Sequence, residues 1–305
     1  MHPSVSTHNR GILLIATAAV LWGSLGVAGR FAFEAGLTPL AVAFYRAAIA
    51  FLVVAAWTVG GTPAALRIRR ADLGLFALFG FISIAVFFFV YLYAVSKTTV
   101  ATAAILLYTA PGWVLVLSRL LFMEPLTHSK LWAVMLTVLG CLLIVRGYDL
   151  PALRLTLSGI AAGLAAGATY ALYSILGKTA LRRYPPRVTL TYALGFGSIF
   201  LGLAASATGQ LNAAALRAGW PVVAYLGLVT TLLAQFLYLS GLRHIEAGRA
   251  SLIATLEPVV AAMLGYILLR ERLDLLQAAG GLAVLSGVLL VRRAPVPPAE
   301  LLPAG

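Results

Sequence analysis

Long apolar runs separated by short polar breaks dominate the chain. They cover 11–29, 39–60, 73–95, 99–122 and 129–145, then 156–177, 188–208, 220–242, 247–269 and 275–291. About 20 apolar residues cross the hydrocarbon of a bilayer as a helix. The runs lack the period-two alternation that a membrane barrel requires. Lipid offers no partner to a backbone N–H or C=O, so each run is predicted to be an α-helix. The expected fold class is therefore all-α and integral to the membrane, with ten transmembrane helices.

The pattern is also duplicated. The segment IEAGRASLIATLEPVVAAMLGYILLRER, residues 245–272, ends in a charged cluster and carries Glu257 and Pro258 at its middle. Shifting the chain by 147 positions lays Pro258 on Pro111, Glu271 on Glu124, Leu273 on Leu126 and Gly287 on Gly140, with Tyr238 on Tyr91 and Arg293 on Arg146. Each copy holds five predicted helices. An odd number makes the second copy enter the membrane from the other side, so the expectation is two inverted five-helix repeats around a central cavity. The organisation expected is a cytoplasmic N-terminus (1–10), a first repeat (11–146), a linker (147–155), a second repeat (156–293) and a cytoplasmic tail (294–305).

Composition narrows the class. With 305 residues, 62% of them hydrophobic and 10% charged, and a mean hydropathy of +0.99, the chain cannot wrap an apolar core in a polar surface. The net charge of +13 is spread over short breaks between the apolar runs and forms no contiguous face, so nucleic acid is not an expected partner. Basic residues are about twice as frequent on the side of Arg10 as on the other, which places both termini in the cytoplasm. Arg10 precedes an apolar segment without a small-residue cleavage site, and this reads as a retained first helix. The only cysteine, Cys141, excludes an internal disulfide, and His2, His8, His128 and His244 lack metal-ligand spacing, so neither metal nor cofactor is expected.

Candidate chemistry is sparse. Glu257 lies at the centre of an apolar run, where a carboxylate costs roughly 2.5–3.5 kcal/mol and faces protein or water. It either exchanges a proton, binds a substrate ammonium, or makes a structural hydrogen bond to backbone freed by Pro258. Arg46, inside the second run, either holds a substrate carboxylate, pairs with Glu257, or snorkels outward. Pro111 and Pro258 each remove a helical hydrogen bond and predict kinks that open a cavity at mid-depth. Its expected lining is Trp22, Tyr91, Tyr108, Trp113, Tyr170, Tyr173, Gln235 and Tyr238, aromatic walls with few polar anchors. Gly23, Gly26 and Gly29 read as a packing stripe, Gly159, Gly163 and Gly167 as another. Thr127 and Asp274, one repeat apart, read as helix caps, and Glu124 and Glu271 as helix-entry residues.

Enzymatic motifs fail. Gly177-Lys178-Thr179 resembles the end of a phosphate-binding loop, but Leu172 stands where the earlier glycine is required and no strand precedes it. Gly195-x-Gly197 is followed by Phe200 where a dinucleotide fingerprint needs a third glycine, and no His-Glu-x-x-His occurs. The chain is not expected to be an enzyme.

The stretch from Ala247 through Leu256-Glu257-Pro258, Leu273, Gln277, Gly281 and Gly287 closely resembles the end of an EamA-type domain of the drug/metabolite transporter superfamily. Pro111, Glu124, Leu126 and Gly140 resemble the same domain in the first copy, and Trp22-Gly23 and Arg46 its first two helices. Pro125 and Val134 depart from the pattern. The resemblance implies a ten-helix inverted-repeat carrier, an exporter of amino acids or related metabolites, working as a monomer or homodimer on a small-molecule substrate. Exchange or uptake of another metabolite, efflux of cationic drugs, and a channel remain open at this point.

Overall fold

The computed structural model describes residues 5–61, 66–98, 100–153, 156–269 and 273–293. Glu271 and the tail 294–305 lie outside the described residues. The first half holds α1 (Val5–Gly23), α2 (Leu25–Glu34), α3 (Pro39–Gly61), α4 (Leu73–Gly80), α5 (Phe87–Lys97), α6 (Val100–Leu107), α7 (Ala110–Phe122) and α8 (His128–Ile144). The second holds α9 (Leu157–Leu181), α10 (Pro186–Ala207), α11 (Ala213–Tyr225), α12 (Ala234–Leu242), α13 (Ala247–Ala254), α14 (Leu256–Leu269) and α15 (Leu275–Arg293). The described residues are mostly helical, with no strand among them. Eight helical stretches are long and apolar enough to cross a membrane, and α8 and α15 supply two shorter apolar helices.

Helix ends follow local chemistry. Thr127 caps α8 by accepting from Lys130 N–H at 3.3 Å, and Asp274 Oδ1 accepts from Gln277 N–H at 2.8 Å ahead of α15. Asn212 Oδ1 accepts from Ala214 and Ala215 N–H. This cap starts α11 well before the run predicted from 220, because hydropathy alone does not register a capped polar turn. The first helix likewise begins at Val5, inside the segment read as a cytoplasmic terminus.

Two features were not foreseen. The helical rod made by α4 and α5 passes through a π-helical segment, Phe81–Val86, and that made by α11 and α12 through another, Leu226–Leu233. Subtracting 147 from Leu233 gives Val86, so both segments end at the same repeat position. Such segments are rare and concentrate at functional sites.

Packing repeats with the same register. A Cβ on Gly80 would sit 2.6 Å from Phe196 Cβ and 2.8 Å from Ala193 O, and one on Gly227 would sit 2.9 Å from Ile49 Cβ and 3.3 Å from Arg46 O. Positions 80 and 227, 196 and 49, and 193 and 46 are each one repeat apart. Glycine at 80 and 227 therefore lets the backbone of α4 meet α10 as that of the second π segment meets α3. The pair α8 and α15 behaves likewise. A Cβ on Gly140 would lie 2.6 Å from Gly280 O, and one on Gly287 3.1 Å from Ala133 O. Shifting by 147 exchanges these two contacts, so the interface is reciprocal.

The buried core gathers residues of both halves, among them Ile15, Trp22, Ala47, Phe79, Tyr173, Leu194, Tyr238 and Ile253. The double glycine stripe of α9 packs as expected. Cβ atoms on Gly163 and Gly167 would meet Leu106 Cδ1 at 2.4 Å and Thr109 Oγ1 at 2.8 Å.

Candidate functional site

The two proline positions are broken more sharply than a kink. The run predicted over 247–269 is divided into α13 and α14 at Thr255, and that over 99–122 into α6 and α7 at Tyr108 and Thr109. Pro258 and Pro111 each lie in the first turn of the second piece, where a missing N–H is tolerated. Threonines cover the breaks: Thr255 Oγ1 donates to Leu252 O and Thr109 Oγ1 to Leu106 O, both at 2.6 Å. Glu257 consequently stands in the first turn of α14, where free N–H groups and the helix dipole favour a carboxylate.

A cavity of about 1240 Å³ of empty space, its mouth included, opens beside these breaks. Of the residues predicted to form the site, Trp22, Arg46, Tyr91, Tyr108, Tyr170, Tyr173, Gln235 and Glu257 line it. A smaller cavity of about 420 Å³ adjoins it, sharing Trp22, Tyr108, Tyr170, Tyr173 and Glu257 and adding Pro111 and Tyr238. Pro258 is buried behind Glu257 and lines neither cavity. Trp113 stands apart from the rest, 40% exposed on α7.

The walls are interlocked aromatics. Trp22 and Tyr238 lie 5.3 Å apart between ring centroids, Tyr173 and Tyr238 5.8 Å, and Phe87 and Tyr170 5.4 Å. Tyr238 and Ser174 share a hydrogen bond at 2.6 Å, which fixes the ring. Arg46 does not snorkel away. Its guanidinium lies over the Phe88 ring at 4.9 Å, a cation–π contact on the cavity wall. Arg46 and Glu257 are the two charged side chains of the lining, and neither forms a hydrogen bond or ion pair within the described residues. Both remain available to a solute.

The lining also holds residues that the sequence reading did not single out: Ser83, Phe87, Phe88 and Thr231. One signal for Phe88 was present, since it is the repeat partner of Gln235. Gly23 and Gly26 divide in role. A Cβ on Gly23 would lie 2.7 Å from Val260 Cβ and 3.0 Å from Glu257 O, whereas one on Gly26 meets nothing within 4 Å. Gly23 packs α1 on the Glu257 turn, and Gly26 leaves space in the cavity wall.

The end of the bundle that carries Gly11 is closed by polar contacts. Glu124 bridges the halves, accepting from Ala247 N–H at 2.8 Å and Gly248 N–H at 3.1 Å. Lys130 and Arg249 both pair with Glu246, at 3.0 and 2.8 Å, and Lys178 donates to Leu242 O at 3.3 Å and to Ile245 O. Asp72 is held by Arg183 at 2.8 Å and Tyr184 at 2.6 Å. At the opposite end Asp274 accepts from Tyr148 OH and pairs with Arg146 at 3.5 Å. Hydrogen bonds from Tyr148 and from the backbone at Gln277 hold the Asp274 carboxyl below its ordinary range.

Proteins similar in sequence over most of this chain are transporters. An uncharacterised transporter of Archaeoglobus fulgidus is 33% identical over 283 residues, covering 93% of this chain and 96% of its own. The uncharacterised transporter YwfM of Bacillus subtilis is 25% identical over 288 residues, 93% of this chain and 94% of its own. A protein of known crystal structure superposes with a TM-score of 0.79 at 17% identity, over 92% of this chain and 96% of its own, and so shares the fold. The EamA-like transporter family matches twice, over residues 9–146 and 157–293, and this multi-pass membrane protein belongs to that family of transporters.

Proposed function

We propose that the chain is a secondary carrier of a bacterial-type inner membrane that exports amino acids, aromatic and hydrophobic ones among them, and related small metabolites by alternating access. One observation carries the reading. A single cavity presents one cation, Arg46, and one carboxylate, Glu257, neither in a hydrogen bond or ion-pair contact among the described residues, between aromatic walls. A zwitterion with an apolar side chain complements that arrangement, its carboxylate on Arg46 and its ammonium toward Glu257.

The transport cycle follows from the repeat. Eight candidate spans with α8 and α15 make ten crossings, five per half. The contacts exchanged by a shift of 147 support a two-fold relation between the halves. With an odd number of crossings, that axis lies in the membrane plane. Two inverted halves can form the same seal at either end in turn, and the network around Glu124 supplies the closed end. Basic-residue bias puts this end, with both termini, in the cytoplasm. The protein acts as a non-enzymatic carrier, a monomer or homodimer in the bilayer, driven by solute or proton gradients.

The test is counterflow. Purified protein in liposomes loaded with unlabelled L-phenylalanine should accumulate labelled L-phenylalanine transiently, with saturation. Flux that never saturates and shows no counterflow would establish a channel instead, and no flux of any amino acid would overturn the substrate class.

A further inference from the structure

Three oxygen atoms of cavity-lining side chains are without partners among the described residues. Ser83 Oγ, Tyr173 OH and Gln235 Oε1 are shut off from solvent and make no hydrogen bond, and all three side chains line the large cavity. Ser83 is 5% and Tyr173 6% exposed. Buried polar atoms are almost always satisfied, and each orphan is unfavourable until something fills its valence.

The three belong to one neighbourhood. The Tyr173 ring lies 5.2 Å from Phe79 and 5.8 Å from Tyr238. Ser83 follows Phe79 by about one turn inside the first π segment, and Gln235 precedes Tyr238 by about one turn just past the second. Tyr173 on α9 packs against Phe79 and Tyr238 and shares the cavity lining with Ser83 and Gln235.

We propose that Ser83, Tyr173 and Gln235 form a subsite for a primary amine. The inference rests on the amino-acid reading above and adds an orientation to it. A primary ammonium carries three N–H donors. The Gln235 carbonyl accepts one, and the Ser83 and Tyr173 hydroxyls accept the others through their lone pairs while turning their own O–H toward the cavity. Glu257, in the same lining, supplies the opposite charge. Arg46, held over Phe88, is left for the carboxylate. Recognition of the amine therefore involves the first π segment and the turn just past the second, one from each half.

The experiment uses the full-length carrier in liposomes, with L-phenylalanine, phenethylamine (no carboxylate) and 3-phenylpropionate (no amine) as probes. The natural Cys141 is 1% exposed, so Gln235→Cys, at a half-buried position of the cavity lining, introduces the thiol that a methanethiosulfonate reagent reaches. L-Phenylalanine and phenethylamine should slow that labelling and 3-phenylpropionate should not. Ser83→Ala and Tyr173→Phe should each raise KM for phenylalanine on the order of five-fold with kcat nearly unchanged, and leave inhibition by 3-phenylpropionate as it was. Equal protection by 3-phenylpropionate, or variants that lower kcat without moving KM, would overturn the subsite while wild-type counterflow left the amino-acid reading standing. Should wild-type counterflow be absent, protection by phenethylamine alone still supports an amine subsite, and no protection rejects it.

Discussion

The Glu124 carboxylate and the backbone of Ala247 meet at 2.8 Å across the two halves of the chain. Its other oxygen takes the Gly248 N–H at 3.1 Å, so a side chain of the first repeat caps α13 of the second. An acceptor at a helix N-terminus is worth about 1 kcal/mol, more when charged and partly buried. Glu124→Ala should lower the unfolding temperature of the detergent-solubilised protein by several degrees, and Glu124→Gln, which keeps one acceptor, by less. Equal melting of all three proteins would show the cap to be inert.

Glycines in this chain differ in what surrounds them. At Gly140 a methyl group would press on Gly280 O at 2.6 Å and Val284 N at 2.9 Å, both backbone, whereas Gly26 has open space. Gly140→Ala should therefore destabilise by about 1–3 kcal/mol through overpacking. Gly26→Ala should be neutral or raise stability by up to about 1 kcal/mol through helix propensity. Thermal unfolding of the two variants side by side decides the matter.

Asp274 carries a pH signature. Its carboxyl is held low by Tyr148 and Gln277, so the stability it supplies is fully present above the unfolded value of about 3.9 and is lost as pH falls through the folded one. Asp274→Asn should melt earlier than wild type at pH 7, and the two curves should converge below about pH 4. A gap that stays constant across this range would mean that the carboxylate is not the source.

Charge in the cavity should control coupling and selectivity separately. Glu257→Gln should remove the pH dependence of transport while leaving the fold intact, and Arg46→Gln should weaken carboxylate-bearing solutes more than phenethylamine. Liposome uptake at several pH values, with both probes, reads the two effects.

Topology gives the fifth prediction. Cysteines placed at Lys97 and His244, one repeat apart, should react with an impermeant thiol reagent from opposite faces of the membrane, and same-side labelling would reject the inverted arrangement.

Much of this was legible beforehand. Pro111 and Pro258 located the helix breaks and Thr127 and Asp274 the caps, because proline and short polar side chains act locally on the backbone, whereas Glu124, read as a helix-entry residue of its own half, caps α13 of the other. The faces of the helices were harder to read. In lipid the outward side is as apolar as the buried side, so Trp113, 40% exposed on α7, is indistinguishable in sequence from Trp22, 8% exposed in the core. Ser83 is the one serine of its apolar run, and only its lack of a partner among the described residues sets it apart. Gly26 shares its spacing with Gly23, yet one opens space and the other permits contact, which depends on the neighbouring helix.

The π segments have one more consequence. Each wider turn takes in an additional residue, and at 3.6 residues per α-helical turn one residue corresponds to about 100° of azimuth. Side chains downstream are thereby swung around the rod, and Phe88 and Gln235, each just past a π segment, both line the cavity. A one-residue deletion within either segment would straighten the winding and turn the whole following helix to a different heading, carrying its cavity residues out of reach of the solute.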